Sequence, residues 1–203
     1  MTKPLKITTG LLAIAALATS GSAIAAAAEP PDDDGKVEVT VEIAQIDQPG
    51  VLAMTVAGGS VALAENGSDP LRRRFTGALP SVTVTDTRSL DEIRPGASWY
   101  VLGTASDFIG ATGQAPIPAA NLGWTPKLVD YSGSGEAFAG EPVRGALDGG
   151  SGLTTSELLA STLDSASVNA EGSWTASADL ALSTAPDVAP GVYASTITLS
   201  LFE

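Results

Sequence analysis

The chain has 203 residues, with 23 Asp and Glu against 10 Lys and Arg, a formal net charge of −13, no His and no Cys. Without His or Cys there is no Ser-His-Asp or Cys-His nucleophile pair, none of the usual zinc ligand sets and no disulfide framework. The acidic balance opposes nucleic acid and anionic lipid as partners.

The N-terminal residues carry Lys3 and Lys6, then the apolar, small-residue stretch "GLLAIAALATSGSAIA", then A-x-A frames within "SAIAAAAEPP". This is the three-part pattern of a secretory signal peptide, with cleavage expected between Ala25 and Glu29 and the leader assigned to residues 1–28. Its strongly apolar part, Leu11 to Ala18, falls short of the about 20 residues a spanning helix needs. No second long apolar run follows, so the mature chain is predicted to be secreted, with no transmembrane segment. Residues 29–35 read as an acidic linker. Its "DDDG" does not fit a calcium loop: with Gly35 at position 6, Pro30 falls at position 1 and Val41 at position 12.

From residue 36 to 203 the pattern is that of one β domain. In "KVEVTVEIA" Val37, Val39, Val41 and Ile43 alternate with Lys36, Glu38, Thr40 and Glu42, which predicts a half-buried strand. After the turn signal "QPG", residues 51–57 predict a second strand. Asn66-Gly67 predicts a hairpin turn between "VALAE" and "LRRRF". In "SVTVTDTRSLDEIRPGASWYVLG", residues 81–103, a strand with Val82 and Val84 on one face is followed by the break Arg94-Pro95-Gly96. A second strand then has apolar residues on both faces, as a central strand does. The stretch therefore reads as two strands around a turn.

Residues 104–156 are rich in Gly, Pro, Ala and Ser and read as long loops, with a short strand near Leu128–Tyr131. "TSELLAST", 155–162, reads as a helical turn or two opened by Thr155 or Ser156. Alternation returns in "WTASADLAL", through Trp174, Ala176, Ala178, Leu180 and Leu182. After the loop "STAPDVAPG" it continues in "VYASTITLSLF", through Tyr193, Ile197, Leu199 and Leu201. Eight or so short strands separated by turn signals predict an all-β, sandwich-like domain with long Gly/Pro-rich loops.

The residues offer little catalysis. Lys36 and Lys127 are the only lysines beyond the leader, and Lys36, at the start of an exposed strand, is a poor general base. No Walker-type phosphate loop occurs. Asp86, Asp91 and Glu92 read as solvated turn acids rather than a glycosidase pair. No catalytic, cofactor or metal residues are assigned. Arg72-Arg73-Arg74, the one basic run, suits a phosphate polymer such as teichoic acid. Its plainer reading is an exposed strand with Arg73 turned to the other face or to a rim acid. Trp99, Trp124 and Trp174 read first as core fillers. Trp124, in the loop-like "NLGWTPK", is the one expected to be exposed. The ligand-binding candidates are Trp124, Trp99 and Tyr100.

Four segments, "LPSVTVTDTR", "GASWYVLGTASDF", "IPAANLGWTP" and "APGVYASTITLSL", occur in an order that resembles WxL-type domains. These are exported surface modules of Gram-positive bacteria, and the likeness is to their divergent actinobacterial form over residues 36–203. The resemblance implies an all-β domain that associates non-covalently with the cell wall, peptidoglycan in particular, alongside other surface proteins. The Trp-x-Leu motif itself is altered in both places. Trp99-Tyr100-Val101 has Val for Leu, and Leu199-Ser200-Leu201 has Leu for Trp. The expected function is a secreted, non-catalytic, wall-associated module that uses no cofactor. The alternative is a structural or adhesive subunit that binds other proteins.

Overall fold

A computed structural model describes residues 40–42 and 48–203. The chain divides into two units, Met1–Gln45 and Ile46–Glu203, and every strand described belongs to the second. Most of the strand expected over 36–44 lies outside the described residues; of it only 40–42 are described, and they are exposed and not in a strand. In chain order the strands are β1 (Leu52–Val56), β2 (Ala64–Glu65), β3 (Arg73–Ala78), β4 (Val82–Asp86), β5 (Tyr100–Ala105) and β6 (Ile109–Gly110). They continue with β7 (Leu122–Leu128), β8 (Ala137–Ala139), β9 (Glu157–Thr162), β10 (Ser173–Thr184), β11 (Tyr193–Ala194) and β12 (Ile197–Phe202). The only helical pieces described are three-residue 3-10 turns. The fold is all-β and sandwich-like, as the alternation predicts.

β10, twelve residues long, is the spine of the larger sheet. One of its edges pairs with β4 along its first half and with β3 along its second; its other edge pairs with β7. β1 extends this sheet beyond β4, and β2 extends it beyond β3. β3 and β4 are one edge interrupted at Leu79-Pro80-Ser81. Val82 pairs with Ala176 and Ala78 with Asp179, so three residues lie opposite two, which is a bulge. Proline suits that place because no ladder hydrogen bond is asked of it. The Leu79 amide still reaches Ala178 O, and Ser177 Oγ donates to Leu79 O at 2.7 Å.

The second sheet runs β12-β5-β9-β8, all antiparallel, and β6 and β11 form a small separate pair. β4 and β5 therefore do not pair with each other. The stretch 81–103 is a crossover from one sheet to the other rather than two strands of a hairpin. Its connection is long, and both strands find better partners elsewhere. β5 is central, as its two apolar faces predict.

Two other sequence readings change. "TSELLAST" is not helical; it holds β9, whose Leu159, Ala160, Ser161 and Thr162 are buried between β5 and β8. Pairing on both edges outweighs a local helical preference. The supposed loop region holds β7, a seven-residue strand whose first three residues are buried; of the short strand expected over 128–131 only Leu128, the last residue of β7, is in a strand. Asn66-Gly67 sits in the hairpin of β2 and β3, but the tight turn is further on. Asp69 and Arg72 form an isolated bridge, and the Asp69 carboxylate accepts from the amides of Leu71 and Arg72. This is an Asx-type turn through Pro70.

Between the sheets lies a core that includes Val82, Val84, Trp174, Ala178, Leu180, Leu122 and Trp124 from one side and Trp99, Val101 and Leu159 from the other. Trp99 and Trp174 pack with ring centroids 5.2 Å apart at a tilt of 43°. Trp124 crosses the interior to β5. A methyl group built on Gly103 would lie 2.6 Å from the end of its ring, so glycine is what allows the sheets to close there.

An ion network joins the end of β4 to the residue after β12, and in it Asp86 is buried rather than the solvated turn acid expected from the sequence. Arg88 Nε and Nη2 donate to both oxygens of Asp86 at 2.8 and 2.7 Å, and Nη1 reaches Glu203. Burial works to raise the Asp86 pKa, but the hydrogen bonds and charge of Arg88 outweigh it and hold the carboxyl below its usual range.

Candidate functional site

The three sequence candidates occupy different places. Trp99 and Trp124 are 0% and 1% exposed. Trp124 is thus a core residue, contrary to the exposure expected from its loop-like surroundings, because β7 is a paired strand and its apolar face points inward. Neither indole N–H finds a protein acceptor among the described residues, so both rings act through apolar contact. Trp174, also buried, donates its indole N–H to Glu171 at 2.7 Å. Tyr100 is half-buried and stacks on Phe202, 5.4 Å away at 17°. No tryptophan offers a ring face on which a sugar could rest.

The altered Trp-x-Leu positions do come together. β5 and β12 are neighbours, and Val101 pairs directly with Leu201. Leu199 is partly buried and packs against the core, as its place on the apolar face predicts.

The concave feature of the surface lies on the opposite, outer face of the larger sheet. It is a groove of about 550 Å³ between β3 and the loop 142–149. Its floor is made of small residues, Gly123 on β7 and its register partner Ala181 on β10. The loop is anchored to the edge of β7 by two backbone hydrogen bonds between Trp124 and Val143, at 2.8 and 2.9 Å. It then passes close over Gly123, where an added methyl would lie 2.5 Å from Val143 O and 2.8 Å from Gly145 N. Gly123 therefore shapes both floor and wall.

The charges of the groove follow from strand alternation. Arg72 and Arg74 line it, while Arg73, between them, turns to the other side. There Arg73 donates to both oxygens of Glu65 at 3.0 and 2.8 Å and lies 5.2 Å over the Phe75 ring. The Arg73 and Ser68 hydrogen bonds hold the Glu65 carboxyl down at about 2. This is the rim-acid arrangement read from the sequence for Arg73. Arg72 Nη1 donates to Asp148 Oδ1 at 2.6 Å and to Leu147 O at 3.0 Å, which clips the far end of the loop to β3. Ser183 Oγ holds the second oxygen of Asp148 at 2.8 Å. Lys127 and Asp179 pair at 2.6 Å on the same face.

Among the described residues, Arg72, Arg73, Arg88, Arg94 and Lys127 each have a carboxylate within ion-pair distance. Arg74 and Arg144 have none, and both line this groove. The basic run points to Arg72 and Arg74. Arg144 and Asp148 carry no sequence signal, because they reach the site only through the path of an irregular loop. Among the described residues no group of three or more His, Cys, Asp or Glu is placed to hold a metal ion. Nor is any helix among them long and apolar enough to cross a membrane.

The fold and site thus define an all-β sandwich with a cationic outer groove. No protein-family model and no curated protein matches the chain. Among solved structures there is a match to a family 123 glycoside hydrolase from Clostridium perfringens, at 16% identity and a TM-score of 0.30. It covers 63% of this chain and 19% of that one, so the chain spans about a fifth of that protein's length.

Proposed function

We propose that the protein is a secreted, non-catalytic surface module that associates non-covalently with the cell wall, with peptidoglycan-based wall material as its partner. The observation that carries this reading is the outer groove, where two guanidinium groups without carboxylate partners among the described residues flank a floor of Gly123 and Ala181. An open groove of that kind suits a chain passing through it, and its free donors suit the anionic groups that wall polymers carry. The groove's two acids are already engaged, Asp148 by Arg72 and Ser183 and Asp179 by Lys127, so neither is poised as a general acid or base. The signal-peptide pattern supports export, and the resemblance to WxL-type domains supports the wall as the destination.

The test is co-sedimentation of the mature protein with purified Gram-positive walls. Binding at low salt and release by added salt are expected; a protein that stays in the supernatant at low salt sinks the reading.

One observation favours a second role, as a structural or adhesive subunit. β12 is a six-residue edge strand that carries Ile197, Leu199 and Leu201, and only β5 pairs with it among the described residues. Such an edge can accept a strand from another chain. Size-exclusion chromatography with light scattering tests it, and a monomer with no captured surface protein counts against it.

A further inference from the structure

We infer that the groove takes the phosphodiester groups of an anionic wall polymer, held between Arg74 on β3 and Arg144 on the facing loop. The inference rests on the wall-binding reading above and names the chemistry that the site would recognise.

The argument begins with pairing. Arg73 and Arg88 are each locked by two hydrogen bonds onto a carboxylate, and Arg72 is locked onto Asp148. In a protein of net charge −13, carboxylates to neutralise a guanidinium are plentiful. The two arginines without one among the described residues both line a single groove, Arg74 from β3 and Arg144 from the loop. The wall that carries Arg144 is held by Val143 pairing with Trp124 at one end and by Arg72 and Ser183 gripping Asp148 at the other. Arg72 and Asp148 thus act as a brace, and Arg74 and Arg144 remain free to bind.

The type of anion follows from what the groove lacks. Its unengaged charged groups are donors only. A phosphodiester presents non-bridging oxygens that only accept, repeated along a linear backbone, and the planar guanidinium fork fits them two bonds at a time. An uncharged sugar chain would call for an exposed aromatic platform, and all three tryptophans lie in the core. The acidic remainder of the surface repels the same polymer, which confines contact to the groove and makes it salt-sensitive.

The experiment compares two double substitutions of equal charge change in the mature protein: Arg74→Gln with Arg144→Gln, and Arg73→Gln with Arg94→Gln. The second pair lies outside the groove. Both are checked for folding by circular dichroism. They are then titrated against intact Gram-positive walls and against walls stripped of phosphodiester polymers with hydrogen fluoride. The groove pair should lower affinity for intact walls by about tenfold or more, the loss anticipated when charge-assisted bonds are removed. The control pair should bind within about twofold of the parent. The parent's affinity for stripped walls should fall by a similar factor, and a soluble glycerol-phosphate oligomer should compete for intact walls. Undiminished binding to stripped walls, or equal losses in the two variants, overturns the phosphodiester site while wall binding stands. No binding to intact walls overturns both.

Discussion

Gly123 and Trp124 are neighbours on β7, yet they belong to two regions with opposite physics. Trp124 faces inward and fills the gap that Gly103 leaves in the opposing sheet. Gly123 belongs to the outer groove, where the loop 142–149 passes over it and arginines stand on both sides. The interior holds all the tryptophan; the outer groove is small-residue and cationic. In this sandwich all three tryptophans close the core, and the proposed recognition rests on charge.

Substitutions on either side of the sheet can break that comparison. The largest effect is expected from Trp124→Ala, at about 3–5 kcal/mol of stability, since a buried ring is deleted between rigid sheets. Urea denaturation measures it; a loss of wall binding with unchanged stability would instead place the ring in the site. Next is Asp86→Asn, at about 3 kcal/mol near neutral pH. That is the low end for a broken buried pair, because Arg88 keeps Glu203. The folded pKa of Asp86 is lowered, so its contribution is complete above the unfolded pKa of about 4 and is lost as pH falls through the folded value. The stability gap between parent and variant should therefore shrink below about pH 4. A gap that is constant with pH would show that the ion pair is not its origin.

Gly103→Ala should cost about 1–3 kcal/mol, because the new methyl meets the Trp124 ring at 2.6 Å in a packed core. Gly123→Ala makes a comparably close approach on the outer face, to backbone atoms of the loop 142–149 that Trp124 holds at Val143, so it should also cost about 1–3 kcal/mol and, unlike Gly103→Ala, weaken wall binding of the folded protein severalfold. If Gly103→Ala weakens wall binding and Gly123→Ala does not, the inside and outside of this sheet have been assigned the wrong way round.

Strands with alternation were legible in the sequence where one face turns toward the core and the other is more exposed, β4, β10 and β12, while β1 was marked by the turn signal before it. β7 was not legible. Gly123 and Pro126 are poor strand formers, and both are buried beside β10, so "LGWTPKL" lacks the polar–apolar rhythm that a half-exposed strand shows. The same ambiguity hid β9, where Leu158, Leu159 and Ala160 fit a helix as well as a strand until neighbours are known. The partnering of residues 81–103 was out of reach, since alternation reports which face is buried and not which strand lies alongside. Half of the site was visible. Arg72 and Arg74 flanking Arg73 announce one cationic face on a strand. The wall opposite is built by a loop whose course depends on tertiary contacts at Trp124, Ser183 and Arg72.

The most direct test of a charge-based rather than aromatic surface is the salt dependence of co-sedimentation with purified Gram-positive walls. The account predicts that the bound fraction falls steadily as salt rises from low to above physiological strength, with far-ultraviolet circular dichroism unchanged. Binding that persists undiminished at high salt, or no binding at low salt, would contradict it.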